Sequence, residues 1–191
     1  LELCERAGVV VLGPGIGRTD GALEWAREVA RRAPVPVLID ADGLNAHAGR
    51  LESLRERPAP TVLTPHEGEL GRLLGIESAK VQAARLECAR DAAGRSGGIV
   101  VLKGDDTIVA MPDGTAAVSP GATPALATAG TGDVLSGMGG ALLAKRMDPF
   151  EAAAAAVLAH ARAGRVAAGR LGANHVIAGD VIDAIPEGMA T

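Results

Sequence analysis

Short apolar runs alternate with longer stretches of helical periodicity along most of the chain. The runs are rich in Val, Ile and Leu, which is typical of buried strands. They occupy residues 9–12, 35–39, 61–63 and 99–104. Helical periodicity predicts helices at residues 21–32 and 79–95, with a further helix that ends at Leu74. This alternation predicts an α/β fold in which helices cover both faces of a mostly parallel sheet.

The pattern changes after the fourth apolar run. Two further short runs, at residues 107–110 and 116–119, flank a Pro-Asp-Gly turn and predict an antiparallel meander. Asp148 as N-cap and Pro149 at the first position start a long helix, within which we expect His160 to be structural. The last helix is expected at about residues 178–185. Since no repeat or linker interrupts the pattern, we expect residues 1–191 to form a single domain.

A glycine-rich segment, Thr128–Leu143, lies between the meander and the long helix. Its apolar residues recur with helical spacing, so we expect a helix that begins near Gly132. The first amides of a helix have no internal partner and lie at the positive end of its dipole, so they bind anions such as phosphate. Asp133 would stand beside that anion, which is unfavourable unless the carboxylate handles a proton or holds a metal. The alternative is that Asp133 only complements the helix dipole.

Polar residues follow the apolar runs at the ends of the predicted strands. They lie in the segments Gly13–Gly17, Asp40–Asn45 and Thr64–Glu69 and at Lys103. Because the carboxyl ends of parallel strands share one edge of a sheet, we expect these residues to form a ligand site. Simpler roles remain open: Asp42 as a helix N-cap, His66 as a helix cap, and Lys103 as a snorkelling side chain, although we favour a phosphate contact for Lys103.

Composition narrows the possible functions. Apolar residues make up 48% of the chain but aromatic residues only 1%, which predicts an aliphatic core. The net charge of −4, without a basic block, argues against nucleic acid as a partner. Cys4 and Cys88 are isolated, so we expect reduced thiols in a cytoplasmic protein rather than a disulfide or a zinc site. No apolar stretch is long enough to span a membrane, so no membrane partner is expected.

The motifs, taken in this order, resemble those of one family. They are Gly13-Pro-Gly-Ile-Gly17, Asp40-Ala-Asp-Gly-Leu-Asn45, Thr64-Pro-His-Glu-Gly-Glu69, Lys103-Gly-Asp-Asp-Thr107 and Gly130-Thr-Gly-Asp133. From Val9 to about Pro186 the chain is similar to the ADP/ATP-dependent NAD(P)H-hydrate dehydratases, enzymes with a ribokinase-like fold. Gly-x-Gly-Asp belongs to the whole superfamily, whereas Thr-Pro-His-x-Gly-Glu points to the dehydratases.

The resemblance implies an activity and a role for each site residue. The family uses a phosphoryl group of ADP or ATP, with ADP favoured here, to dehydrate hydrated NADH or NADPH. Asp133 would be the catalytic base on the substrate hydroxyl, and Gly15, Gly17 and His66 would contact the hydrated dinucleotide. The nucleotide contacts would be Lys103, Gly104, Asp105, Asp106, Thr107 and Gly132. Mg²⁺ would be held mainly by phosphate oxygens and water, so no metal-binding cluster of side chains is expected.

Two other interpretations remain open. A small-molecule kinase of the same superfamily, acting on a thiazole or pyrimidine vitamin precursor, would share Gly130–Asp133 but usually has Asn in place of His66. The other is a non-catalytic nucleotide-binding domain.

Family members usually begin with further strands and another glycine-rich segment, and an epimerase domain often accompanies them, so we expect residues upstream of those given. Residues 9–12 would then lie at or near a sheet edge, and we expect a homo-oligomer.

Overall fold

The order of strands in the sheet follows their order in the chain. The computed structural model describes residues 2–119, 121 and 123–190. Its strands are β1 (Val10–Leu12), β2 (Val37–Ile39), β3 (Thr61–Leu63), β4 (Ile99–Leu102), β5 (Thr107–Ala110) and β6 (Ala116–Ser119). Strands β1 to β4 run parallel, and Val10 pairs with Val37, which in turn pairs with Thr61. Strands β5 and β6 continue the sheet as an antiparallel meander. The mostly parallel sheet and the meander confirm the predicted α/β architecture.

Helices cover both faces of this sheet. They are α1 (Glu2–Glu5), α2 (Asp20–Arg32), α3 (Ala41–Ala46), α4 (Glu67–Leu74), α5 (Ser78–Ala83), α6 (Arg85–Ser96), α7 (Thr131–Ala144), α8 (Pro149–Leu171) and α9 (Ala178–Met189). Short 3₁₀ turns lie at Leu51–Leu54, Pro124–Leu126 and Ala173–His175. The helices from α2 to α6 pack on one face, α7 and α8 pack on the other, and α9 packs against α8.

The core is aliphatic on both faces of the sheet, as the composition predicts. Side chains alternate along β2, so Val37 and Ile39 pack with α2 to α6 while Leu38 packs with α7 and α8. All three are at most 1% exposed. Burying a side chain of this size contributes roughly 1.5–3 kcal/mol. The central strands therefore fix the positions of the loops that follow them.

One predicted helix is wrong. Residues 79–95 lie mostly in two helices, α5 and α6, because the chain leaves the helical conformation at Ala84, which has φ −141° and ψ 51°. Alanine favours helices, so tertiary packing overrides the local preference here. Within these two helices Val81 and Ala92 are buried, whereas Leu86 is 37% exposed.

Other boundaries lie close to the predicted ones. The Asp148 carboxylate caps α8 as expected by accepting hydrogen bonds from the amides of Phe150 and Glu151. Helix α9 extends to Met189, and β2 begins two residues later than predicted. Strand β1 forms an edge of the sheet, with Val11 40% exposed. Over the parts of the chain that the structure describes, no helix has the length and apolar character needed to cross a membrane.

Candidate active site

Four loops meet at the edge of the sheet formed by the carboxyl ends of β1 to β4. They begin at Gly13, Asp40, Thr64 and Lys103. Backbone hydrogen bonds join neighbouring loops: the Asp40 amide donates to the Leu12 carbonyl at 2.9 Å, and the Lys103 amide donates to the Pro65 carbonyl at 2.8 Å. The edge that the sequence predicts as a ligand site is therefore one connected structure.

The loop after β1 packs its first glycine tightly and leaves the later ones open. A Cβ atom on Gly13, which has φ +132°, would lie 1.7 Å from the carbonyl oxygen of Asp40, so only glycine fits there. Gly15 and Gly17 have φ +73° and +81°, and a Cβ at either position would meet no atom of the described chain within 4 Å. These two predicted substrate residues therefore expose their backbone.

The loop after β2 corrects one expectation, because Asp42 is not the N-cap of α3. Asp40 is the N-cap, and its Oδ1 accepts a hydrogen bond from the Ala41 amide at 2.9 Å. Asp42 lies in the first turn, where it accepts hydrogen bonds from Arg18 Nε at 2.7 Å and from Asn45 Nδ2 at 3.1 Å. The hydrogen bond from Arg18 is the main cause that lowers the pKa of Asp42. The pair ties the glycine-rich loop to α3.

A buried carboxylate connects the end of β4 with α7. Asp40 is 2% exposed; its Oδ1 lies 2.9 Å from Lys103 Nζ, and its Oδ2 accepts a hydrogen bond from Ser136 Oγ at 2.7 Å. The carboxylate of Glu69 lies 3.9 Å from the same Nζ. Lys103 therefore points inward to two carboxylates, and the snorkelling alternative is wrong. Its contact with a phosphate stays a prediction.

The turn after β4 is held by Arg85, a residue that the sequence analysis does not single out. Its Nη2 donates to the Asp106 carbonyl at 3.0 Å, and its Nη1 pairs with the Glu67 carboxylate. Within the turn, Thr107 Oγ donates to the Gly104 carbonyl at 3.1 Å. The exposed residues of this turn are Gly104, Asp105 and Asp106. Arg85 reaches the turn from the first residue of α6, and no local sequence pattern indicates this contact.

His66 caps α4 and leaves much of its ring in solvent. Its Nδ1 accepts hydrogen bonds from the amides of Gly68 at 3.0 Å and Glu69 at 3.4 Å, while Glu69 Oε2 accepts one from the His66 amide at 2.9 Å. This reciprocal arrangement is a capping box. Because Nδ1 accepts, the neutral ring carries its proton on Nε2, and the side chain is 55% exposed. The capping role is confirmed, and a ligand contact through Nε2 stays a prediction.

Helix α7 begins at Thr131, one residue before the predicted start. Gly130, its N-cap, has φ +88° and no side chain with which to cap the first amides. The Thr131 hydroxyl donates to the Thr128 carbonyl at 2.8 Å and fixes the preceding turn. Lys103 Nζ lies 3.7 Å from the position that a Cβ on Gly132 would occupy. A helix N-terminus beside an ammonium group is suited to an anion such as phosphate.

Asp133 lies exposed on the first turn of α7, at an apolar groove that the sequence analysis missed. The groove has a volume of about 800 Å³ and lies between α7, α8 and α9. Its largest apolar side chains are Met138, Leu142, Met147, Ile182, Ile185 and Met189. Ile182, Ile185 and Met189 recur at helical spacing on α9, and this spacing predicts an apolar face on that helix.

His160 lies buried against the start of α7. It is 8% exposed, and burial is the main cause that lowers the pKa of His160 to about 4. The charge of Lys103 acts in the same direction, whereas the backbone of Thr131 acts in the opposite one. The imidazole is therefore neutral near neutral pH, and its burial agrees with the expected structural placement.

The structure brings together some of the predicted site residues and keeps others apart. Lys103 and Gly132 are adjacent, and Glu69 links Lys103 with the capping residue His66. Residues 104–106 form a separate exposed turn beside them, and Thr107 begins β5. Residues 15–17 lie on the loop after β1, which the pair of Arg18 and Asp42 attaches to α3.

The chain is similar in sequence to known proteins over nearly its whole length. The family model described as NAD(P)H-hydrate dehydratase matches residues 1–187. The bifunctional NAD(P)H-hydrate repair enzyme Nnr of Salinibacter ruber is 43% identical over 190 residues, which is 97% of this chain and 34% of that protein. The chain thus spans about a third of the length of the curated relatives it matches.

Solved structures share the fold. The ADP/ATP-dependent NAD(P)H-hydrate dehydratase of Bacillus subtilis, co-crystallized with ATP/Mg²⁺, matches with a TM-score of 0.84 and 32% identity, over 95% of this chain and 64% of that one. A ribokinase-like superfamily protein of Enterococcus faecalis matches with a TM-score of 0.82 and 26% identity, over 99% of this chain and 65% of that one. The expected ribokinase-like fold is therefore confirmed.

Proposed function

Because the chain belongs to the NAD(P)H-hydrate dehydratase family, we propose that it dehydrates hydrated NADH or NADPH using ADP or ATP. The hydroxyl on the hydrated nicotinamide ring is a poor leaving group, because it would depart as hydroxide. Transfer of a phosphoryl group to its oxygen changes the leaving group to phosphate. The carbon–oxygen bond then breaks with its electrons on the phosphate, and loss of a proton from the neighbouring carbon restores the ring double bond.

The proximity of Lys103 to the first turn of α7 is the observation that carries this proposal. The nucleotide lies along the turn of residues 103–107, in contact with Gly104, Asp105, Asp106 and Thr107. Its phosphates meet Lys103 Nζ and the backbone at Gly132, where the missing Cβ leaves room for them. Positive charge at these two points stabilises the phosphoryl group during its transfer.

Mg²⁺ enters the proposal together with the nucleotide, because it neutralises further phosphate charge when it is bound. We propose that phosphate oxygens and water hold the ion, since a polyphosphate supplies the oxygen ligands that Mg²⁺ prefers. Within residues 2–119, 121 and 123–190, no group of three or more His, Cys, Asp or Glu side chains is placed to hold a metal ion.

Asp133 is the catalytic base in this proposal. It takes the proton of the substrate hydroxyl as the oxygen attacks the terminal phosphorus of the nucleotide. Support comes from its place on the first turn of α7, beside the proposed phosphate site, where a carboxylate is unfavourable unless it has a chemical role. The hydrated dinucleotide contacts the exposed backbone of Gly15 and Gly17 and the Nε2 of His66.

A small-molecule kinase of the same superfamily would share the segment Gly130–Asp133. His66 favours the dehydratase, since those kinases usually have Asn at this position, and the family match over residues 1–187 points the same way. A non-catalytic domain would bind ADP without turnover. These alternatives differ in product, so an assay separates them.

The assay follows the formation of NADH from hydrated NADH by the full-length protein, first with ADP and then with ATP. We expect turnover that requires a nucleotide. Asp133→Asn is expected to slow it roughly 10²–10⁴-fold, the usual contribution of a general base, while calorimetry shows that ADP still binds. ADP binding without any turnover by the wild type would favour the non-catalytic domain. Near-normal turnover by Asp133→Asn would reduce Asp133 to a residue that complements the helix dipole.

The proposal also includes a cytoplasmic homo-oligomer with small molecules as its ligands and with neither nucleic acid nor membrane as a partner. The expected assembly is motivated by β1, an edge strand whose Val11 is 40% exposed. The expected location is motivated by Cys4 and Cys88, which are both free thiols.

A further inference from the structure

We propose that Asp40 is a positioning residue whose carboxylate directs the Lys103 ammonium group toward the first turn of α7. None of the roles proposed above uses Asp40, although it is only 2% exposed and contacts both Lys103 and Ser136. Its pairing with Lys103 is independent of the proposed function. Its expected effect on turnover rests on that function.

The two oxygens of Asp40 serve different elements. Oδ1 accepts from the Ala41 amide and from Lys103 Nζ, both at 2.9 Å, and Oδ2 accepts from Ser136 Oγ at 2.7 Å. One carboxylate therefore sets the distance between the lysine after β4 and the helix whose first turn faces it. A buried carboxylate is costly unless it is paired and hydrogen bonded, and these contacts offset that cost.

Glu69 cannot take the place of Asp40 in this arrangement. Its Oε2 lies 3.9 Å from Lys103 Nζ, beyond hydrogen-bond distance, and accepts a hydrogen bond from the His66 amide instead. A lysine has a long flexible stem and a compact charge, so its position depends on a fixed partner. Asp40 is that partner, and Glu69 adds a weaker attraction in the same direction.

The backbone around Asp40 is held in place from both sides. Ala41 has φ +48°, a left-handed conformation that is unfavourable for alanine. On the other side, the carbonyl of Asp40 approaches Gly13 so closely that a Cβ there would lie 1.7 Å from its oxygen. Unfavourable conformations persist where the surrounding structure determines them, and they concentrate at functional sites. The position of the Asp40 carboxylate is therefore maintained against a local backbone preference.

The pairing is tested by labelling the lysines of the full chain with an amine-reactive anhydride and measuring each site by mass spectrometry. Lys80 and Lys145 are exposed and serve as internal references. Asp40→Asn is expected to raise the labelling rate of Lys103 relative to the references roughly 10-fold, the factor for one lost charged hydrogen bond. The control is Asp148→Asn, which changes another helix N-cap, that of α8, and should leave the ratio unchanged.

A second variant controls for the possibility that Asp40→Asn changes labelling through misfolding. Asp40→Ser keeps a good N-cap for α3 but is too short to reach Lys103, so it should raise the labelling of Lys103 as Asp40→Asn does. Circular dichroism shows whether each variant keeps its helices. If Asp40→Asn or Asp40→Ser folds and the labelling rate of Lys103 relative to the reference lysines is unchanged, the inference is overturned.

Turnover measurements distinguish a positioning role of Asp40 from a general contribution of Asp40 to folding. Asp40→Asn is expected to lower kcat at least roughly 10-fold with a smaller change in KM for ADP, and to have little effect in a Lys103→Met background. An equal loss in both backgrounds would mean that Asp40 acts through the fold, and would overturn the inference. If the wild type has no turnover, the proposed function fails, and the labelling ratio alone decides whether Asp40 holds Lys103.

Discussion

Replacing His160 by Gln removes a buried imidazole whose burial has a predictable effect on stability at low pH. Burial lowers the pKa of His160 to about 4, from an ordinary value of about 6.5. Between these values the unfolded chain binds a proton that the folded chain does not. The free energy of unfolding therefore falls as the pH decreases from about 6.5 toward 4. From about pH 7 to pH 5 the loss due to this one group is about 2 kcal/mol.

The Gln variant should lack that part of the pH dependence. Urea unfolding at both pH values, followed by far-ultraviolet circular dichroism, gives the free energy of unfolding for each protein. Trp25 is 56% exposed in the folded state, so its fluorescence would report unfolding poorly. His47 is also buried, and burial lowers the pKa of His47, but it contributes equally to the wild type and the variant.

We expect the wild type to lose about 2 kcal/mol more than His160→Gln between the two pH values. His175→Gln is the matched control, because it removes an exposed imidazole, and its pH dependence should equal that of the wild type. If His160→Gln and the wild type lose stability equally, then the environment described for His160 is wrong.

Three further results are expected. Gly13→Ala should lower the free energy of unfolding by at least about 3 kcal/mol, because its Cβ would overlap the Asp40 carbonyl, whereas Gly15→Ala should lower it by about 1 kcal/mol. Equal urea midpoints for the two variants would contradict this. Light scattering should show that the 191-residue chain self-associates through β1 and that Val11→Lys reduces this more than Leu171→Lys does; a monomeric wild type would contradict it. Excess EDTA should abolish nucleotide-dependent turnover and Mg²⁺ should restore it, while full activity in EDTA would remove the metal from the proposal.

Local signals predicted the parts of the fold that depend on neighbouring residues. The run Thr61–Leu63 and the start of α8 at Asp148 and Pro149 were predicted to the residue, because strand composition and capping chemistry act over a few positions. The shared edge of the four loops followed from the parallel order of the strands. The break at Ala84 was missed, because no glycine or proline marks it.

The connections within the candidate site were not predictable in this way. Ser136 and Asp40 are separated by 96 positions, and no local pattern shows that they pair. The pattern of residues 79–95 predicts one continuous helix, and within such a helix nothing indicates that Arg85 contacts the turn after β4. The preference of aspartate for the N-cap position favours Asp42 and Asp40 alike, and in the structure Asp40 is the N-cap. Pairings of this kind depend on how the strands bring distant loops together.

The central claim is that a nucleotide phosphoryl group is transferred to the substrate hydroxyl and then leaves as phosphate. It is tested most directly by measuring NADH, AMP and inorganic phosphate in one reaction of the full-length protein with hydrated NADH and ADP. The account predicts that all three form in equal amounts and that none forms when either substrate is omitted. Formation of NADH without consumption of ADP, or of a stable phosphorylated product without release of phosphate, would contradict it.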